Sequence, residues 1–172
     1  MNKKNPFLEL ILSIAKCKIY VGEHFIGPMA LLIARLYIGM YYWMAGQTTL
    51  ASYNSTRTLF ENEYLPNWKN NHIKNFFGTE ISFPIPSVKL GMMATTGGAL
   101  VFSMLLMIGF MGRFAAFGIF MMTLAIEMFV YPGIDEHYYW LMIMAIIMAY
   151  GPGKLSVDHF IRGKMLGDLR FA

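Results

Sequence analysis

EMFVYPGIDEHYYWLMIMAIIMAYGPGKLSVD, residues 127–158, decides the fold. The stretch holds the end of one apolar segment, an acidic turn at Asp135 and Glu136, a second apolar segment, and a Gly-Pro-Gly stop followed by Lys154. Pro132 and Gly133 break the first helix, and Gly151, Pro152 and Gly153 break the second, because proline removes a backbone donor and clashes with the preceding turn. Between Glu136 and Lys154 no residue carries a fixed charge. A helix that is apolar nearly all round must be covered by lipid or by other helices, and the rest of the chain supplies that cover.

Of the 172 residues 56% are hydrophobic and 14% charged, with a mean hydropathy of +0.47. A soluble domain of this size needs more charge on its surface, so one membrane domain, residues 1–172, is the reading. The formal net charge of +4 does not point to nucleic acid, because the Lys and Arg residues collect beside apolar segments, the membrane pattern. The single cysteine, Cys17, excludes an intramolecular disulfide and any Cys-x-x-Cys pair; it reads as a small apolar filler.

Residues 1–27 open with Lys3 and Lys4 and continue through an apolar run interrupted by Glu9. Lys16, Cys17 and Lys18 stand where a signal peptide would have its small-residue cleavage site, so an uncleaved amphipathic interfacial helix is expected. Spans follow at about 28–50, 88–111, 114–131 and 136–150, the first long enough for a bilayer core of about 30 Å. Short links force antiparallel neighbours, and the fold class is all-α: an integral membrane four-helix bundle. Gly39 and Gly46 in the first span read as close-packing positions. The long hydrophilic connection, 51–87, carries Trp68 and two tyrosines, Tyr53 and Tyr64, and reads as a cap lying on the membrane. Residues 151–172 form a basic tail.

Orientation follows from the basic residues. Lys3, Lys4, Lys16, Lys18, Arg113, Lys154, Arg162, Lys164 and Arg170 share one side; Arg57, Lys69, Lys74 and Lys89 on the other are balanced by acids. The positive-inside rule puts both termini in the cytoplasm of a bacterial inner membrane, with the cap and the acidic turn outside.

Topology then brings polar residues to one depth at the outer ends: Gln47 and Thr48, Thr95 and Thr96, Glu127 and Tyr131, His137 and Trp140. Glu127 and Tyr131, at i and i+4, are expected to share a helix face. A carboxylate and an imidazole in an apolar surrounding suit proton exchange with a quinone headgroup. The plainer reading makes Glu127 a near-interface carboxylate and His137 an exposed helix-start residue. Two residues do not make a metal site, which would need further ligands such as His72. At the inner ends Arg35, buried about two turns into its span, is expected to form a structural ion pair with Asp158. The i,i+4 methionine pairs Met40–Met44, Met107–Met111 and Met144–Met148 suit Cu(I), but Met also fills irregular gaps in a bundle.

These residues resemble the DoxX family of small four-helix membrane proteins over about 31–164. The marks are Arg35-Leu36-x-x-Gly39 with Ala45-Gly46, Gly109-x-x-x-Arg113, and above all Gly151-Pro152-Gly153-x-Leu155-Ser156-x-Asp158. Phe129-Val130-Tyr131-Pro132, His137, Trp140 and Asp158-His159 are similar to a subgroup associated with metal-stress and peptide-modification gene clusters. The chain departs from the pattern in having Gln47 rather than Lys after Gly46, and no acid in the second span. The resemblance implies a subunit linked to quinone-dependent oxidation of sulfur compounds, as in thiosulfate:quinone oxidoreductase members, or to thiol and oxidative-stress complexes. On that reading Glu127 and His137 are the proton-exchanging pair, with Tyr131, Trp140, Gln47 and Thr96 around a bound quinone. No haem, flavin or iron–sulfur ligand set is visible, so a protein partner in a membrane complex is expected, and a homo-oligomer is left open. The alternative is a non-catalytic scaffold or chaperone recruiting its partner through 68–77.

Overall fold

The computed structural model describes residues 6–70, 73–74, 80–81 and 87–169. Its bundle is made of α2 (Gly27–Ala51), α5 (Val88–Ile108), α6 (Gly112–Phe129) and α7 (Asp135–Tyr150). α2 packs along α5, α5 on α6 and α6 on α7, and α7 closes back on α2. Each helix turns one apolar face inward: Ile38 and Tyr42 from α2, Ala99 and Leu106 from α5, Ala115, Ala116 and Ile119 from α6, and Trp140, Met144 and Ile147 from α7. The alanines let the α6 backbone lie close to its neighbours. Gly39 receives the Met107 side chain and Gly46 that of Leu100, so the two glycines of the first span are the notches on which α2 and α5 meet.

The N-terminal segment forms a helix, α1 (Pro6–Val21), and it is continuous with α2 through a π-helical turn at Gly22–Ile26. Pro28 lacks an N–H and would crowd the carbonyl one turn back in a regular helix. The wider turn, in which the Gly27 N–H bonds the Gly22 carbonyl, takes up that misfit. From Leu10 to Ala51 the rod is 42 residues long.

Among the described residues three helices are long and apolar enough to cross a bilayer: Leu10–Ala51, Val88–Ile108 and Gly112–Phe129. α7 has 16 residues, about 24 Å of rise against a core of about 30 Å. It packs one face, His137, Trp140, Met144 and Ile147, against the bundle and leaves Tyr139 and Met142 exposed on the other. The connection after α2 folds as a cap of α3 (Tyr53–Leu59), a second π-helical turn at Phe60–Tyr64 and α4 (Leu65–Asn70), seated on the ends of α5 and α6. Beyond it β1 (Ile73–Lys74) pairs antiparallel with β2 (Glu80–Ile81), Ile73 opposite Ile81. His72 and half of the expected 68–77 recruiting segment lie outside the described residues.

At the other end α8 (Val157–Leu169) follows the Gly-Pro-Gly stop. The tail docks under the bundle, but not through the expected Arg35–Asp158 salt bridge, which is absent among the described residues. Asp158 instead accepts the Met111 and Gly112 N–H groups at 2.8 and 2.9 Å, capping α6 at its positive end. Fully buried Arg35 donates from Nη2 to the Leu155 carbonyl at 2.6 Å. Free N–H groups at a helix start lie closer to the carboxylate than the guanidinium does, and the two charges attract at longer range only.

Candidate functional site

On the side of the cap, α6 and α7 are joined by a turn that its own sequence dictates. α6 closes with the Val130 and Tyr131 N–H groups both bonded to the Ile126 carbonyl, and Pro132 stops it. Gly133 takes φ +89°, a value that L side chains rarely adopt, and Ile134 is extended before α7 begins. The reversal carries the Gly133 N–H onto Glu127 Oε1 at 2.6 Å and His137 Nδ1 onto Glu127 Oε2 at 2.7 Å. Both residues are buried, 5% and 8% exposed, so His137 is not the solvent-facing helix start of the plainer reading.

The carboxylate is an acceptor for both groups, so the Nδ1 that faces it donates, and Nε2 has no hydrogen-bond partner among the described residues. Tyr138 brings its hydroxyl to the same carboxylate. His137 lies 5.4 Å from the Trp140 ring, and Tyr41 and Tyr42 pack on that indole at 4.2 and 5.9 Å. One turn deeper, Thr123 gives its proton to the Ile119 carbonyl at 2.8 Å, so the Tyr42 hydroxyl, 2.5 Å away, donates to Thr123 Oγ1. Glu127, His137, Trp140, Tyr42 and Thr123 thus form a column of polar and aromatic groups between α2, α6 and α7. Sequence reading missed Tyr42 and Thr123. Thr123 stands at i−4 from Glu127 on the same face, and that spacing is the signal that finds it.

The other expected site residues are placed differently. Tyr131 does not share a face with Glu127, because α6 ends at Phe129 and the i,i+4 rule no longer applies beyond it. Its hydroxyl donates to Glu63 Oε2 at 2.6 Å, tying the bundle to the cap. Burial first, then the Glu63 carboxylate, push the Tyr131 hydroxyl well above the ordinary tyrosine value. Trp140 belongs to the column. Gln47 is exposed and Thr96 half-buried, and neither bonds the Glu127–His137 pair. Among the described residues no three His, Cys, Asp or Glu side chains gather as a metal site. Of the methionine pairs, Met40 and Met44 face outward, while Met144 is core.

Beside the column, on the α5 side of α6, the cap roofs an apolar chamber of about 360 Å³. Phe60, Tyr64, Leu65 and Trp68 form the roof; Ala94, Thr95, Met122 and Ile126 are among the walls. Trp68 stacks on Phe129 at 4.2 Å, and its buried indole N–H has no acceptor among the described residues. Asn67 fastens the roof by donating to the Val130 carbonyl at 3.1 Å.

A family model described as DoxX matches residues 30–132, more than half of the chain, from α2 to the turn that follows α6. Glu127 lies inside the matched region and His137 just beyond it. No curated protein and no solved structure matches.

Proposed function

The chain belongs to the DoxX family of membrane proteins, and from that premise we propose that it is a quinone-interacting subunit of a membrane oxidoreductase acting on sulfur or thiol compounds. The observation that carries this reading is the buried Glu127–His137 pair at the outer end of the bundle. Glu127 is the positioning residue: its carboxylate sets the tautomer and aims the ring. His137 is the group that exchanges a proton, through Nε2, with a carbonyl or hydroxyl oxygen brought against it. Trp140 and Tyr41 supply an aromatic surface against which a planar ring can pack. A bound quinone would supply the electron carrier that no side chain here provides. The donor of electrons is a partner protein, in an inner membrane with both termini cytoplasmic.

A second seat for the same ligand is favoured by the apolar chamber under the cap, which the Trp68 side chain lines. Quinone content per chain after mild-detergent purification separates the two. Loss of quinone in His137→Ala with retention in Trp68→Phe supports the column; the reverse supports the chamber. Glu127→Gln should keep the fold and abolish quinone-linked turnover, and unchanged turnover would remove Glu127 from the mechanism. Quinone missing from wild type and variants alike would turn the reading toward a non-catalytic scaffold.

A further inference from the structure

The other end of α6 carries a second concave site. Glu127 and Arg113 are separated by about 21 Å of helix rise, and around Arg113 a hollow of about 980 Å³ opens between the α5–α6 turn, the Gly-Pro-Gly loop and α8. Arg113, Lys154 and Arg162 line it from three different elements. None of the three has a carboxylate partner among the described residues. Arg113 makes one long bond, Nη2 to the Ala149 carbonyl at 3.4 Å. The carboxylate in the wall, Asp158, has both oxygens occupied by the Met111 and Gly112 N–H groups. The hollow therefore sets three cations against one carboxylate and carries a net positive charge.

Its remaining wall is aromatic and open. Phe110, Phe114 and Tyr150 line the same hollow, and all three are exposed. The turn that sets them beside the cations is held in an unusual conformation, with Met111 at φ +48°. Arg113 stands one residue inside α6, where that apolar helix begins, so the hollow lies at the end of the bundle at headgroup depth, with Phe114 the first of its rings to continue into the apolar helix. A phosphate free in water has no use for the rings.

We propose that this hollow binds an anionic phospholipid, its phosphate held by Arg113, Lys154 and Arg162 and its acyl chains lying on Phe110, Phe114 and Tyr150. By the count of basic residues this is the cytoplasmic leaflet. Anionic lipid docked here bridges α6 to α8 across the Gly-Pro-Gly stop and fixes the tail on the bundle.

The test is native mass spectrometry of the full chain in detergent with phosphatidylglycerol or phosphatidylcholine added. Wild type should prefer phosphatidylglycerol by about tenfold or more. Each basic side chain contributes about fivefold, so Arg113→Gln with Lys154→Gln and Arg162→Gln should lower phosphatidylglycerol affinity by about a hundredfold. Arg113→Lys with Lys154→Arg conserves the charge and should keep the preference. Lys16→Gln with Lys18→Gln, on the same side of the membrane but outside the hollow, should keep it too. No preference in wild type, or an equal loss in the Lys16 and Lys18 variant, would overturn the site. Displacement of phosphatidylglycerol by millimolar inorganic phosphate would reassign it to a free anion and overturn the lipid.

Discussion

The Tyr42–Thr123 contact beneath the Glu127–His137 pair shows how tightly single atoms are committed in this bundle. Thr123 gives its proton to the Ile119 carbonyl, and so its oxygen is free to receive the Tyr42 hydroxyl. Thr123→Val keeps the shape and strands that hydroxyl in the core, which should cost about 1–3 kcal/mol; Tyr42→Phe in the same background should recover most of it. Unfolding of the purified protein by added denaturing detergent measures both, and a Thr123→Val variant as stable as wild type would deny the bond any weight. At the rim, Tyr131 is neutral in the fold at pH values where a free tyrosine ionises, because burial and Glu63 disfavour the phenolate. A group whose folded value is raised stabilises fully below its unfolded value, near 10, and loses that contribution as pH climbs above it. The melting temperature should therefore fall more between about pH 9 and pH 11 in wild type than in Tyr131→Phe; parallel falls would count against the tie. Glu127 and His137 are legible in the sequence because an acid in an apolar run and an imidazole just past a Pro-Gly turn have few other places to go. Tyr131 is not, because helix spacing does not carry past the residue where the helix stops.

Among the elements, the turns carry more specificity than the helices. Gly109 ends α5 in the left-handed region at φ +75°, and a Cβ there would collide with the Arg35 guanidinium and crowd Ser156. Gly97 lies in the middle of α5, helical, with open space around it. The same substitution should thus act in opposite directions. Gly97→Ala should stabilise by roughly 0.5–1 kcal/mol, through the smaller backbone entropy lost on folding. Gly109→Ala should destabilise by at least about 1–2 kcal/mol from the backbone alone, with the displaced guanidinium adding to it. The unfolding midpoints of the two variants check this, and equal midpoints would mean that the α5–α6 turn does not grip Arg35. The sequence pattern places Arg35, Gly109 and Asp158 at one end of the bundle without saying who bonds whom. An ion pair is the simplest expectation, yet the unfilled N–H groups at the start of α6 take the carboxylate. Chain pattern records depth and face; it does not record which of two nearby donors reaches an acceptor first.

For the whole molecule, helix number, order and antiparallel packing are readable because apolar length and proline breaks are properties of the chain alone. The continuity of α1 with α2 is not, since Pro28 reads as a helix start and only the wider π-helical turn before it lets the rod run on. The continuous rod from Leu10 to Ala51 rises about 63 Å, twice the bilayer core, so one half of it lies outside the hydrocarbon. Which half, and on which side, is open to a direct probe because Cys17 is the chain's single cysteine and is exposed. It stands ten residues before Gly27, about 15 Å along the helix from the start of α2. If α2 spans and the basic residues face the cytoplasm, a membrane-impermeant maleimide should label Cys17 in inverted vesicles and leave it unlabelled in intact spheroplasts. Labelling from the outside would reverse the orientation, moving the Glu127–His137 pair to the cytoplasmic leaflet and the Arg113 hollow to the outer one. Labelling only by a permeant maleimide would instead place the first half of the rod in the hydrocarbon, and α2 would then have to leave the membrane before Ala51.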